Sequence, residues 1–214
     1  MGRVMSKGPS KRGRPAGRSS EVSYDRIVGA ARRIFAERGY AAAQNRAVAE
    51  LAEMTPSSLY HYFDSKLALY VTVFTEAEAL VAERYREALQ TPSEPAAAIA
   101  AVLEAARTLY REDHTIPSFL AGVPIEMRNH PEVSDAIAQC EVTTAQVLLG
   151  LFEDAQKQGL LGPGVSAFGM AAVLFASTTG VALFAQTPMG LTYEEMIDAL
   201  TQLVTATAFT TGTS

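Results

Sequence analysis

The sequence predicts an all-α fold of about nine helices, with three short ones in an N-terminal unit and a larger helical body behind them. Two observations predict it. Apolar residues recur every three to four positions almost from end to end, with no alternating strand-like run and no fixed repeat. Capping residues, prolines and glycines fall where that periodicity starts and stops. At 214 residues and 48% hydrophobic content the chain has enough apolar surface for a sizeable core.

A first helix is expected after Ser23, where Ile27, Ala30, Ala31, Ile34 and Phe35 share one face. Gly39 stands where a left-handed residue would end that helix and let Tyr40 fold back on Phe35. A second short helix covers residues 44–51, with Val48, Leu51 and Ala52 facing inward. Thr55 as N-cap and Pro56 at the first helical position open a third, expected to run to Asp64 or Ser65 with Leu59 and Phe63 inside.

From Lys66 a long connector carries Tyr70, Val73, Phe74, Ala77, Leu80, Val81 and Tyr85 as far as the proline-containing break at 91–95. Next come a helix around Ile99 to Tyr110, a segment from Thr115 to His130 interrupted by Pro117 and Pro124, and a long helix from Pro131 to about Gln158. A glycine-rich turn leads into an uncharged helix over 165–186. The last helix starts at Thr192, with Glu194 and Glu195 in its first turn favouring the helix dipole and Met196, Ile197, Leu200, Leu203 and Val204 inside.

The uncharged helix is long enough to span a bilayer. Ser177, Thr178 and Thr179 in its middle, and the absence of a Lys or Arg cluster at either end, favour burial in the core or in a dimer interface instead. No membrane partner is expected.

Charge runs as a gradient along the chain. Residues 1–20 carry six bases and no acid, residues 21–70 are neutral, and the remainder nets −11, which makes up the overall −5. Such asymmetry suits an N-terminal end that meets a polyanion and a body that does not. Three regions follow: a disordered basic arm at 1–20, a three-helix unit at 21–66 and a body at 67–214. The arm contains Arg12-Gly13-Arg14-Pro15, which resembles the core of an AT-hook; Arg12 and Arg14 would then enter a narrow A·T-rich minor groove. The other reading is a solvated tail.

The second and third short helices, joined by a brief turn, make a helix-turn-helix, a unit that lays its second helix in the major groove. The run GYAAAQNRAVAELAEMTPSSLYHYFDSK, residues 39–66, resembles the DNA-binding signature of the TetR family of transcriptional regulators. Gly39, Tyr40, Arg46, Val48, Ala49, Ala52, Leu59, Tyr60, Phe63, Ser65 and Lys66 match, with Thr55 replacing Ser as cap. Three positions depart from the pattern. Glu53 stands for the turn glycine and implies either a non-glycine residue at positive φ or an altered turn. Ser57 stands for a glycine of the recognition helix. Ala43 stands for a Thr cap, a loss of about 1 kcal/mol unless Gln44 or Asn45 substitutes.

The resemblance implies a double-stranded DNA operator as partner, with Tyr60 and Lys66 on phosphates and Ser57, His61 and Tyr62 toward base edges. Thr55 and Ser58 sit at the same helix start, and Arg46 is either a phosphate contact or a solvated cation. It further implies a homodimer through the last two helices and a small-molecule effector bound in the body, so that the chain would be a repressor released from DNA by ligand. The apolar residues of the body favour a hydrophobic or aromatic effector. Tyr110, Phe119, Met127 and Phe152 are candidate apolar lining, with Glu126, Arg128 and Gln146 as polar contacts. An activator using the same heads, or a helical interaction module without specific DNA binding, are the alternatives.

No Gly-rich phosphate loop, nucleophile elbow or metal-spaced His or Cys set appears, so neither an enzyme nor a cofactor nor a metal site is expected. A lone Cys140 excludes an internal disulfide framework, and no apolar run follows the N-terminal charges; both fit a cytoplasmic chain.

Overall fold

The computed structural model describes residues 16–92 and 94–207, with side chains from 21 to 204. Among them are ten helices and no strand: α1 (Ala16–Ala42), α2 (Asn45–Leu51), α3 (Pro56–Leu59), α4 (Lys66–Ala88), α5 (Pro95–Glu112), α6 (Thr115–Asn129), α7 (Pro131–Ile137), α8 (Thr143–Lys157), α9 (Ala167–Phe184) and α10 (Tyr193–Thr207). Arg12 and Arg14 lie outside the described residues.

α1 begins well before Ser23 and kinks at Gly39, which takes φ 72° as expected but ψ 174°, extended rather than left-handed helical. A Cβ there would sit 2.5 Å from Glu126 Oε1, a side-chain end that can swing aside, so it is the dihedral that calls for glycine. Beyond the kink Tyr40 stacks on Phe35 with ring centroids 6.4 Å apart. Tyr70 meets both rings edge-on, and Phe119 from α6 closes the cluster 5.1 Å from Tyr70. These rings weld the N-terminal unit to the body.

Two helix boundaries differ from the sequence reading. α3 stops after Leu59, and the aromatic run behind it continues as a tighter turn, with His61 N–H on Ser58 O and Tyr62 N–H on Leu59 O. That turn lets Phe63 stack on Tyr24 of α1, 5.6 Å between centroids. The expected helix over 131–158 is two helices, α7 and α8, broken at 138–142. What sustains the break comes from elsewhere in the chain: the Thr144 N–H, free at the start of α8, donates to the Glu78 carboxyl of α4 at 3.1 Å.

Inward faces also differ in part. Leu51 is 43% exposed while Ala49 is fully buried. On α10 Ile197 and Tyr193 are buried, whereas Met196, Leu200 and Val204 are half-buried and Leu203 is 64% exposed. α4 packs on α1, α5, α7 and α8; α9 packs on α6, α8 and α10; α2 and α3 pack on each other and α2 on α1. α9 is long and apolar enough to cross a membrane. It instead buries Ala167, Ala171, Leu174 and Ala182 against the body and leaves an apolar opposite side exposed, Phe168 at 72% and Val173 at 60%.

Candidate nucleic-acid interface and ligand cavity

The helix-turn-helix is held from beneath by Val48, Ala49, Ala52, Leu59 and Phe63, all buried. Its turn contains Glu53 at φ 53°, the first of the two alternatives for that position. Strain at a non-glycine residue there is offset by Arg26, whose guanidinium donates to Ala52 O and pairs with Glu53 at 2.9 Å. The same pairing neutralises an acid beside the DNA-facing edge. At Ala43 no substitute cap forms: Gln44 is the N-cap residue of α2 and gives no side-chain bond.

At the start of α3, Thr55 Oγ1 accepts the Ser58 N–H at 3.2 Å and lies 2.9 Å from Ser57 Oγ and 2.8 Å from Ser58 Oγ. Thr55 therefore serves the cap, while Ser57, Tyr60 and His61 are exposed and Ser58 and Tyr62 half-buried. Asn45, which sequence reasoning had not placed at the interface, donates to the Tyr60 hydroxyl at 3.3 Å and holds that ring. Arg46 is exposed and paired with Glu50 at 2.9 Å, an i,i+4 bridge of the weak surface kind.

Lys66 has inward partners rather than an open ammonium. Its Nζ donates to the carbonyls of Tyr40, Ala41 and Ala43 at 2.8, 3.2 and 3.3 Å and sits 4.5 Å from the centre of the Tyr40 ring. All three N–H bonds of the ammonium are thus directed at the end of α1, where free carbonyls cluster.

In the body, residues of α4 through α10, with the 138–142 link, line a cavity of about 300 Å³. Its wall is mostly apolar, including Phe74, Leu120, Met127, Ile137 and Phe175, with Thr144, Tyr85, Thr178, Tyr193 and Glu78 as polar groups. Burial pushes the Glu78 carboxyl above the usual carboxylate range, against the hydrogen bonding of Thr144. Burial likewise raises the Tyr85 and Tyr193 phenols, which stay neutral. A smaller cavity of about 190 Å³ lies between α1, α4, α6 and α9.

The profile for bacterial regulatory proteins of the tetR family matches residues 27–73, the stretch from α1 through the helix-turn-helix into α4. The HTH-type transcriptional regulator UidR of Escherichia coli K12 is 26% identical over 156 residues, 73% of this chain and 78% of UidR. Residues 27–73 form a TetR-family DNA-binding unit. The regulator's fold is also that of a solved TetR-family transcriptional regulator from Rhodococcus, with TM-score 0.72 and 16% identity over 87% of this chain and 98% of that one. FadR of Bacillus subtilis, solved with stearoyl-CoA, gives TM-score 0.68 and 19% identity over 86% and 98%.

Of the lining residues read from the sequence, only Met127 faces the larger cavity. Tyr110 stands behind it, stacked 3.9 Å on the lining Tyr193. Phe119 and Glu126 line the smaller cavity on the other side of α6. Phe152 is wholly buried core, and Arg128 and Gln146 are exposed. The sequence had one signal for Glu78: it is an acid in helical step with Phe74, Val81 and Tyr85 on the apolar stripe of α4. Thr144 and the α9 threonines had none, because they reach the cavity only through packing.

Proposed function

We propose that this regulator is a cytoplasmic, homodimeric, sequence-specific repressor whose helix-turn-helix heads, residues 21–66, release an operator when a small molecule enters the cavity of the 67–214 body. One observation carries the reading. α6 presents Pro117, Leu120, Pro124 and Met127 to the cavity and, on its other side, Phe119 and Glu126 to α1 of the DNA-binding unit. A ligand that displaces α6 therefore displaces the head. Pro124 cannot donate to the carbonyl four residues back, which gives α6 a place to bend. The head follows through Tyr40, whose ring lies 5.3 Å from His130 at the end of α6, and through Arg32, which binds Asp113 and Thr115 at the α5–α6 junction.

Ser57, His61 and Tyr62 are the proposed base-edge contacts, Tyr60 and Arg46 the phosphate contacts, with Arg12 and Arg14 of the arm in the minor groove. Thr55 and Ser58 shape the helix start. Dimerisation would cover the exposed apolar side of α9 with α10 of the partner, setting two heads near one DNA turn apart, ~34–36 Å. The ligand held by the Bacillus subtilis neighbour supports a body that takes up small molecules.

The test is fluorescence anisotropy on the duplex upstream of the regulator's own gene against a shuffled duplex, over a salt series and then with a compound library. Preference for the true duplex at physiological salt, relieved by a compound, is the expected result. Equal, salt-sensitive binding to both would leave only nonspecific attraction. Activation of a reporter in place of repression would assign the same heads to an activator.

A further inference from the structure

The larger cavity contains one carboxyl group and no base. Among its lining residues no Lys, Arg or His occurs, and Glu78 is the one carboxyl. Glu78 is only 3% exposed, yet no described Lys or Arg pairs with it. Among the described residues its hydrogen bonds outside α4 are with Thr144 alone: the N–H reaches Oε2 at 3.1 Å, and the hydroxyl reaches the Glu78 backbone carbonyl at 3.5 Å. Capping α8 explains one oxygen of the carboxyl but does not require a full acid, since any amide oxygen would serve. A buried carboxylate lacking a counter-charge is costly to the fold, and that cost is relieved either by protonation or by a bound cation.

We propose that the cavity takes a hydrophobic organic monocation, a lipophilic amine whose ammonium pairs with the Glu78 carboxylate while its carbon skeleton fills the apolar remainder. This deepens the ligand-responsive reading above and rests on it. The aromatic rings of Phe74, Tyr85, Phe175 and Tyr193 in the same wall offer a cation the π attraction that an anion would not receive. An anionic ligand, a fatty acid or acyl phosphate, would place two like charges in a low-dielectric space. The ionisable groups around Glu78 are the Tyr85 and Tyr193 phenols and the Cys140 thiol, none of which supplies a positive charge. Burial holds the Glu78 carboxyl toward its protonated form, so ammonium binding at a pH where that carboxyl still carries its proton releases it.

Matched probes on three skeletons decide the matter: 1-adamantylmethylamine, 1-adamantylmethanol and 1-adamantanecarboxylate, together with the same three head groups on phenylpropyl and cyclohexylpropyl skeletons. Binding to the full-length protein without DNA is followed by calorimetry in two buffers of different ionisation enthalpy. The expected result is an affinity for the amine about tenfold or more above the alcohol on at least one skeleton, with the carboxylate weakest and a proton released to the buffer.

In Glu78→Gln, which keeps an acceptor for the Thr144 N–H, the amine preference and the proton release should vanish while the alcohol binds as before. Circular dichroism and the alcohol's unchanged affinity report that the variant is folded. No amine preference on any skeleton, a preferred carboxylate, or an amine preference that persists in Glu78→Gln would overturn the proposal and leave Glu78 as a helix cap. Operator anisotropy is a separate readout: an amine that binds through Glu78 without releasing DNA overturns the regulatory reading alone, and a carboxylate that releases DNA overturns this one alone.

Discussion

Lys66 shows how a residue matched to a family pattern acquires a different local role once its neighbours are in place. Three carbonyls at the end of α1 absorb its ammonium, so replacing it leaves them without a donor. Lys66→Met is expected to lower stability by about 1–3 kcal/mol in urea unfolding. The salt slope of DNA binding should stay unchanged, because a phosphate contact is not lost. A slope lower by about 0.9 with stability intact would restore the phosphate role. Asp113 makes a second residue-scale case. Burial acts to raise its pKa, but the Thr115 hydroxyl and N–H and the Arg32 guanidinium together bring it below the usual carboxylate range. A carboxyl with a lowered folded pKa stabilises above its unfolded value and loses that contribution as pH falls through the folded one. Stability measured from about pH 5 to pH 2 should therefore drop less steeply in Asp113→Asn than in the wild type. A parallel acid limb in both would show that Asp113 contributes nothing to it.

Helices in this chain were legible where their signals are local. Thr55 and Pro56 mark a start that the structure contains, because a cap acts within three residues of itself. The division of 131–158 into α7 and α8 was not legible, since the group that caps α8 belongs to α4. The extent of α3 was missed for a related reason: the 60–63 turn serves the packing of Phe63 on Tyr24 rather than any break in its own sequence. α9 supplies the prediction at this scale. Its exposed side carries Phe168, Ala172, Val173 and Ala176 with no charge anywhere on the helix. Val173→Glu is expected to convert a dimer into a monomer in sedimentation velocity at micromolar concentration, with helicity unchanged. A monomeric wild type, or a variant that stays dimeric, would remove α9 from the interface.

Across the whole molecule, the charge gradient and the position of the cavity set how the parts are used. An acidic body and a basic N-terminal end orient the chain on a polyanion, head first. Removing residues 1–15 takes away Arg3, Lys7, Lys11, Arg12 and Arg14 and leaves α1 whole. The log-log salt slope of binding should then flatten by roughly 0.9 for each base that met a phosphate. An identical slope would reduce the arm to a solvated tail. The cavity is placed where this orientation becomes useful: an occupant would touch α6, whose other side meets α1, and α9, whose opposite side is exposed.

The sequence by itself determined the all-helical class, the helix-turn-helix register, the positive φ at Gly39 and the apolar excess of α9. Each is written in caps, glycines or periodicity within a few residues of where it acts. Only the tertiary structure decided which polar groups meet: Lys66 with the end of α1, Arg26 with Glu53, Glu78 with Thr144, and Met127 alone of the sequence candidates with the larger cavity. Those partners stand about 25 or more residues apart. Local signals act through backbone geometry and fade within a turn, whereas these contacts depend on how whole helices pack.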